Sequence, residues 1–190
     1  MKAIVALTVS VIVVSSWSSP ARGGFVFNVT EVGDDVLVNG SGTFDLTGLS
    51  IANTTHFARI KPNEYFLAGP RTVTSIDFYQ GMISGPPSFG FGTESKTAST
   101  GTGDLFGFHF AGNIGLAVPD GYVSGTELAA NSKYSGQTLS SLGLSPGDYS
   151  WTFGQDTIQV SVVSIPEPAS IAIFAMAAGA SLLFWVRKTS

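Results

Sequence analysis

No cysteine occurs anywhere in the chain. That excludes thiol nucleophiles, thiolate metal sites and disulfide staples, so any folded domain here must be held by its apolar core. Histidine is nearly as scarce, with only His56 and His109. Cations are few: of nine Lys and Arg, four (Lys2, Arg22, Arg187 and Lys188) lie near the ends. Between residues 24 and 164 the remaining five (Arg59, Lys61, Arg71, Lys96, Lys133) face twelve carboxylates, a net charge of −7. Such a surface is a poor match for nucleic acid and favours solubility outside the cell. The same stretch has one tryptophan, Trp151, and almost no helix-forming runs.

Two apolar runs flank this acidic middle. At the start, Lys2 precedes an uncharged core over residues 3–14, followed by a polar, small-residue stretch to Gly24. That order reads as a secretory signal peptide over residues 1–23, with cleavage after Ala21 or after Gly23. At the other end, residues 169–186 carry no charge and stop at Arg187 and Lys188. As a helix this run is about 27 Å long, close to one hydrocarbon core. Moving either cation through lipid costs on the order of 3 kcal/mol, which keeps the basic end cytoplasmic and puts the preceding chain outside. Just before the run, Pro166 and Pro168 fix their own φ and disfavour helix in the residue before them. Extended, exposed backbone above a membrane is what a peptidase binds.

Pro166-Glu167-Pro168, one hydrophobic helix over residues 169–186 and a short basic end at 187–188 together resemble the PEP-CTERM sorting signal. The resemblance covers residues 165–190. It implies processing near the triplet by an exosortase, a membrane-embedded cysteine transpeptidase-like enzyme. It also implies a bacterium with an outer membrane that makes exopolysaccharide. The tail is also labelled as the C-terminus of ice-binding proteins, but a sorting tag is no sign of ice binding. The expected partners are exosortase and the secretion machinery during export, and exopolysaccharide afterwards.

The middle, residues 24–164, reads as all-β. Val, Ile, Thr, Phe and Tyr recur in short runs bounded by Gly, Pro, Asn and Asp. Phe25, Phe27 and Val29 alternate with Val26, Asn28 and Thr30 as a first strand. Gly33-Asp34-Asp35 turns into a second over residues 36–38, and Gly40 and Gly42 bracket another turn before a strand over 43–46. Further strands are expected at 56–60, 64–68, 73–79, 105–110 and 114–118. Residues 81–100 read as a long loop, because a strand centre tolerates little Pro or Gly. Pro119-Asp120-Gly121 is a turn, and residues 137–142 suggest one helical turn ended by Gly143. A final hairpin joins 149–153 to 157–163. The expected architecture is an antiparallel β-sandwich of about nine short strands. Its Pro119-Asp120-Gly121-Tyr122-Val123-Ser124-Gly125 segment resembles a stretch frequent in PEP-CTERM proteins of unassigned activity. So does Leu142-Gly143-Leu144-Ser145-Pro146-Gly147-Asp148-Tyr149-Ser150-Trp151-Thr152-Phe153-Gly154. That likeness brings no catalytic residue.

Candidate chemistry is sparse. Gly143-Leu144-Ser145-Pro146-Gly147 matches a nucleophile elbow in letters only. Pro146 lacks the N–H an oxyanion hole needs, and strand rather than helix follows. His109 alternates with Phe106, Phe108 and Phe110 and reads as a solvent-side or sandwich-face residue. Asp34-Asp35 reads as solvated turn chemistry, with calcium as the alternative. Tyr122, Tyr134, Tyr149 and Trp151 are the candidate sugar-stacking residues. No cofactor motif or metal-ligand spacing is present. The leading expectation is a non-catalytic structural or adhesive surface protein. The alternative is a surface hydrolase acting on glycans or esters, which requires His56 or His109 to meet an acid and a hydroxyl within about 3 Å.

Overall fold

The computed structural model describes residues 23–164. Among them every regular element is a strand: β1 (Gly24–Val32), β2 (Asp35–Thr43), β3 (Ser50–His56), β4 (Arg59–Lys61), β5 (Tyr65–Ala68), β6 (Thr74–Gln80) and β7 (Ile83–Ser84). They continue with β8 (Lys96–Thr97), β9 (Thr100–Gly103), β10 (Phe106–His109), β11 (Gly115–Pro119), β12 (Leu128–Ser135), β13 (Gly147–Phe153) and β14 (Asp156–Ser164). Two seven-stranded sheets result, ordered β7-β13-β14-β1-β2-β12-β9 and β3-β6-β11-β10-β5-β4-β8.

The first sheet follows the alternation in its sequence. Phe25, Phe27 and Val29 of β1 are buried, as are Ile158, Val160 and Val162 of β14. Gly33, at φ 58°, turns β1 into β2, and Gly154, at φ 61°, turns β13 into β14. Phenylalanines join the two sheets. The Phe27 ring lies 4.7 Å from Phe66 and 5.4 Å from Phe106, and Phe25 lies 4.5 Å from Phe106. Burying each such side chain stabilises the fold by about 1.5–3 kcal/mol.

Several expectations are corrected. The described residues hold fourteen strands rather than about nine, because residues 81–100 hold two-residue edge pairings, β7 and β8, and because β9, β12 and most of β3 went unread. The expected strand over 56–60 is instead the junction of β3 and β4. Gly40 and Gly42 lie inside β2, not in a turn, and no strand runs over 43–46: β2 ends at Thr43 and residues 44–46 join no ladder. A Cβ on Gly40 would sit 2.7 Å from the Phe27 ring and 3.0 Å from that of Phe106, so glycine there makes room for core rings. The sandwich is not wholly antiparallel either. β1 and β14, the first and last strands, pair in parallel at the centre of the first sheet. No hairpin connects them, so nothing local dictates their direction.

The second sheet curls. β3 and β4 lie five strand spacings apart in its order, about 24 Å on a flat sheet. Yet only Phe57 and Ala58 connect them, and three Cα steps reach at most about 11 Å. The sheet must therefore bend back on itself, enclosing its outer face. Burial agrees: β5 and β10 are buried at every position, on both faces. Leu67, Ile76, Phe78 and Ala117 fill the inside of the curl while Phe66, Phe108 and Leu116 face the other sheet.

Ser132 ties the sheets together. Fully buried on β12, its Oγ accepts the Gly69 N–H at 2.8 Å and donates to the Gly69 carbonyl at 2.9 Å. Ser132→Ala leaves both backbone groups buried and unpaired. The expected loss is about 2 kcal/mol of unfolding free energy, read from the shift in urea midpoint at constant slope.

Candidate functional site

The curl opens at one end into a cleft of about 450 Å³, lined by residues including Thr54, His56, Arg59, Glu64, His109 and Asn113. Each side chain is there for a topological reason. β3 ends at His56, and the short link to β4 places Arg59 and Lys61 beside it. Tyr65 opens β5 and pairs in register with His109, the last residue of β10. Opposite His109 on β11 is Gly115, where a Cβ would come within 2.8 Å of the Phe78 ring. The missing side chain lets Phe78 pack against His109, ring centroids 5.3 Å apart and edge-on at 80°.

The two histidines of the chain meet here, ring centroids 5.6 Å apart. Tyr65 lies 4.9 Å from His109 on another side. Arg59 donates from Nη2 to Nδ1 of His56 at 3.0 Å. Its guanidinium lies over the Tyr65 ring, 4.5 Å from the centroid. That contact requires Nδ1 of a neutral His56 to be the acceptor, which leaves the proton on Nε2. Lys61 is ion-paired with Glu64. Two polar atoms at the site are buried without a partner, Nε of Arg59 and Nε2 of His109.

Electrostatics follow from this crowding. Burial, with the nearby His56 and Arg59, pushes His109 down to about 4, against a smaller upward pull from Glu64. Burial and then the Arg59 charge also lower His56. Both imidazoles are therefore neutral at pH 7. Among the described residues neither accepts or donates a hydrogen bond to a carboxylate or hydroxyl. Nor do three His, Asp or Glu side chains converge as metal ligands there.

His109 is opposite Phe106 and Phe108 as its alternation requires, but its face is not solvent-side. It is 6% exposed because the curl covers it. The aromatic candidates fall elsewhere. Trp151 is 1% exposed, and its indole N–H donates to the Pro86 carbonyl at 2.9 Å. Tyr134 is equally buried. Both are core rings and offer no face to a sugar. Tyr122 is half-buried, and its hydroxyl accepts the Phe44 N–H at 2.9 Å and donates to the Thr126 carbonyl at 2.8 Å. It clamps the turn after β11. Tyr149, also half-buried, donates to the Ser145 carbonyl at 3.0 Å and borders a concavity of about 250 Å³. Ser145 itself sits in an irregular link between the Gly90–Leu144 bridge and β13, with strand rather than helix following it. Asp35 is engaged by Lys133 and by the Gly136 N–H, which lower its pKa. Pro166, Glu167, Pro168, Arg187, Lys188, the signal peptide and the apolar run over 169–186 lie outside the described residues.

Sequence reading missed Arg59, Lys61, Glu64 and Tyr65 as neighbours of the histidines. One signal was present: two of the five cations between residues 24 and 164 fall within five positions of His56. No family model matches the chain, and no curated protein or solved structure is significantly similar to it.

Proposed function

We propose that the chain is an exported surface or extracellular-matrix protein, processed by an exosortase, with a non-catalytic structural or adhesive role beside exopolysaccharide. The observation that carries this reading is the order of parts. A signal-like run comes first, then an acidic cysteine-free domain, then Pro166-Glu167-Pro168, one apolar run and Arg187-Lys188. A hydrolase has the meeting of His56 and His109 in its favour. Against it, neither imidazole has the carboxylate that would orient it or the hydroxyl it would activate.

Cell fractionation with and without the exosortase tests the proposal. In the competent strain the protein is expected at the surface or in the medium, lighter by the mass of its tail. In the deficient strain it should stay at the inner membrane with the tail intact. Finding the intact tail at the surface in both strains would overturn the processing step.

A further inference from the structure

The cleft contradicts the charge of the domain around it. Residues 24–164 carry −7, and among the described residues three of their cations are matched by carboxylates: Lys61 by Glu64, Lys96 by Glu94 and Lys133 by Asp35. Arg59 is not. Its guanidinium is half-buried, pressed on Tyr65 and directed at a neutral imidazole, with Nε wholly out of contact with any acceptor. A half-buried cation facing neutral groups is expensive to maintain without an anion. His109 adds an independent sign. It lines the same cleft, is 6% exposed, and has Nε2 buried and unpartnered. Buried polar atoms are almost always satisfied, so two orphans at one opening point to a ligand.

The geometry points to His56, Arg59 and His109 as a binding site for the carboxylate of an acidic sugar residue. A guanidinium fork matches a planar carboxylate in shape. Nε2–H of His56, set by the Arg59 contact at Nδ1, adds a second donor. Since Lys61 and Glu64 offset each other, the cleft's net charge is that of Arg59 alone. A singly charged carboxylate balances it, whereas a phosphate dianion would over-fill it and a divalent cation would be repelled. Phe78 and Tyr65, 2% and 5% exposed, close the inner end with apolar surface and strengthen the pairing by excluding water. Thr54 and Asn113 at the rim are polar groups suited to sugar hydroxyls. The cleft is within the ordinary size range for small ligands, about 300–1,000 Å³. That the carboxylate belongs to a glycan, as a uronic acid residue, rests on the polysaccharide-associated role proposed above.

The test is calorimetric titration of the full-length protein in detergent micelles. Three probes are compared: a glucuronate trisaccharide, its carboxyl-reduced glucose counterpart and inorganic phosphate. Glucuronate is expected to bind saturably, and the reduced sugar and phosphate about tenfold more weakly or worse. Arg59→Gln should weaken glucuronate by about 10- to 100-fold, as loss of a charged hydrogen bond implies, while Lys96→Gln, outside the cleft, should not. If Arg59→Gln does not melt like wild type, His56→Gln removes one donor and leaves the guanidinium in place. Equal binding of the reduced sugar, tighter binding of phosphate, or full affinity in a well-folded cleft variant would overturn the site. No glucuronate binding by a protein that still fractionates to the surface discards the site and leaves the exported role standing. Binding by a protein found in the cytosol does the reverse.

Discussion

Replacing Trp151 by alanine is expected to remove about 3–5 kcal/mol of stability, a large share of what a domain of this size has. The indole is 1% exposed and lies 5.0 Å from the Phe108 ring and 5.3 Å from Phe110. Phe89 meets it edge-on at 6.1 Å. Two losses add together. The ring leaves a cavity between the sheets, and the Pro86 carbonyl loses its indole donor. Partial refilling limits the damage, because the Gly85 loop already touches the ring: a Cβ on Gly85 would be 2.4 Å from Cδ1. Urea denaturation of the variant should show a lower midpoint at unchanged slope. A shift worth less than about 1 kcal/mol would mean that the indole is not part of the core. Trp151 is therefore unsuited to testing glycan binding, since its removal acts on the fold; Arg59 and His56 are the positions to change.

What the sequence made legible was local. The β1–β2 and β13–β14 hairpins carry their own turn residues, Gly33 and Gly154, and alternate cleanly on both sides. Pro119-Asp120-Gly121 is a turn for the same reason, with Gly121 at φ 72°. β12 was illegible because its inward positions are Leu128, Ala130, Ser132 and Tyr134, a set half small or polar. Ser132 is buried only because Gly69, 63 positions away, satisfies it. Gly40 and Gly42 looked like turn formers because their use depends on rings that other strands bring. The cleft was illegible on the same ground. His56 and His109 come from β3 and β10, which are not neighbours in their sheet, and only the curl brings them together. Alternation located the face of His109 correctly but carried no information on whether another strand would cover it.

That covering has a large consequence in acid. An unfolded histidine titrates near 6.5, whereas burial holds His109 at about 4 in the folded protein. The folded-state value is the lower one, so between pH 6.5 and 4 the unfolded chain binds a proton that the native protein refuses. Stability from this residue is then fully present above pH 6.5 and lost as pH falls toward 4, with no further loss below. The size of the effect is about 3 kcal/mol, the shift multiplied by 1.36 kcal/mol per unit. His56, lowered for the same cause, adds to the loss in the same direction. Exposed carboxylates such as Asp35 and Glu94, held below their usual range by Lys133 and Lys96, also weaken the fold in acid. A direct comparison separates them. Chemical denaturation of wild type and His109→Gln from pH 7.5 to 4 subtracts every carboxylate common to both, and the wild type should fall more steeply by about 3 kcal/mol. Parallel curves would mean that the imidazole is hydrated in the folded state. The carboxylate site couples to this profile with a definite sign. An anion beside His109 favours the charged imidazole and raises its folded-state pKa toward the unfolded value. Saturating glucuronate trisaccharide should therefore flatten the acid loss of the wild type, and flatten the His109→Gln profile less, because only His56 then remains to respond.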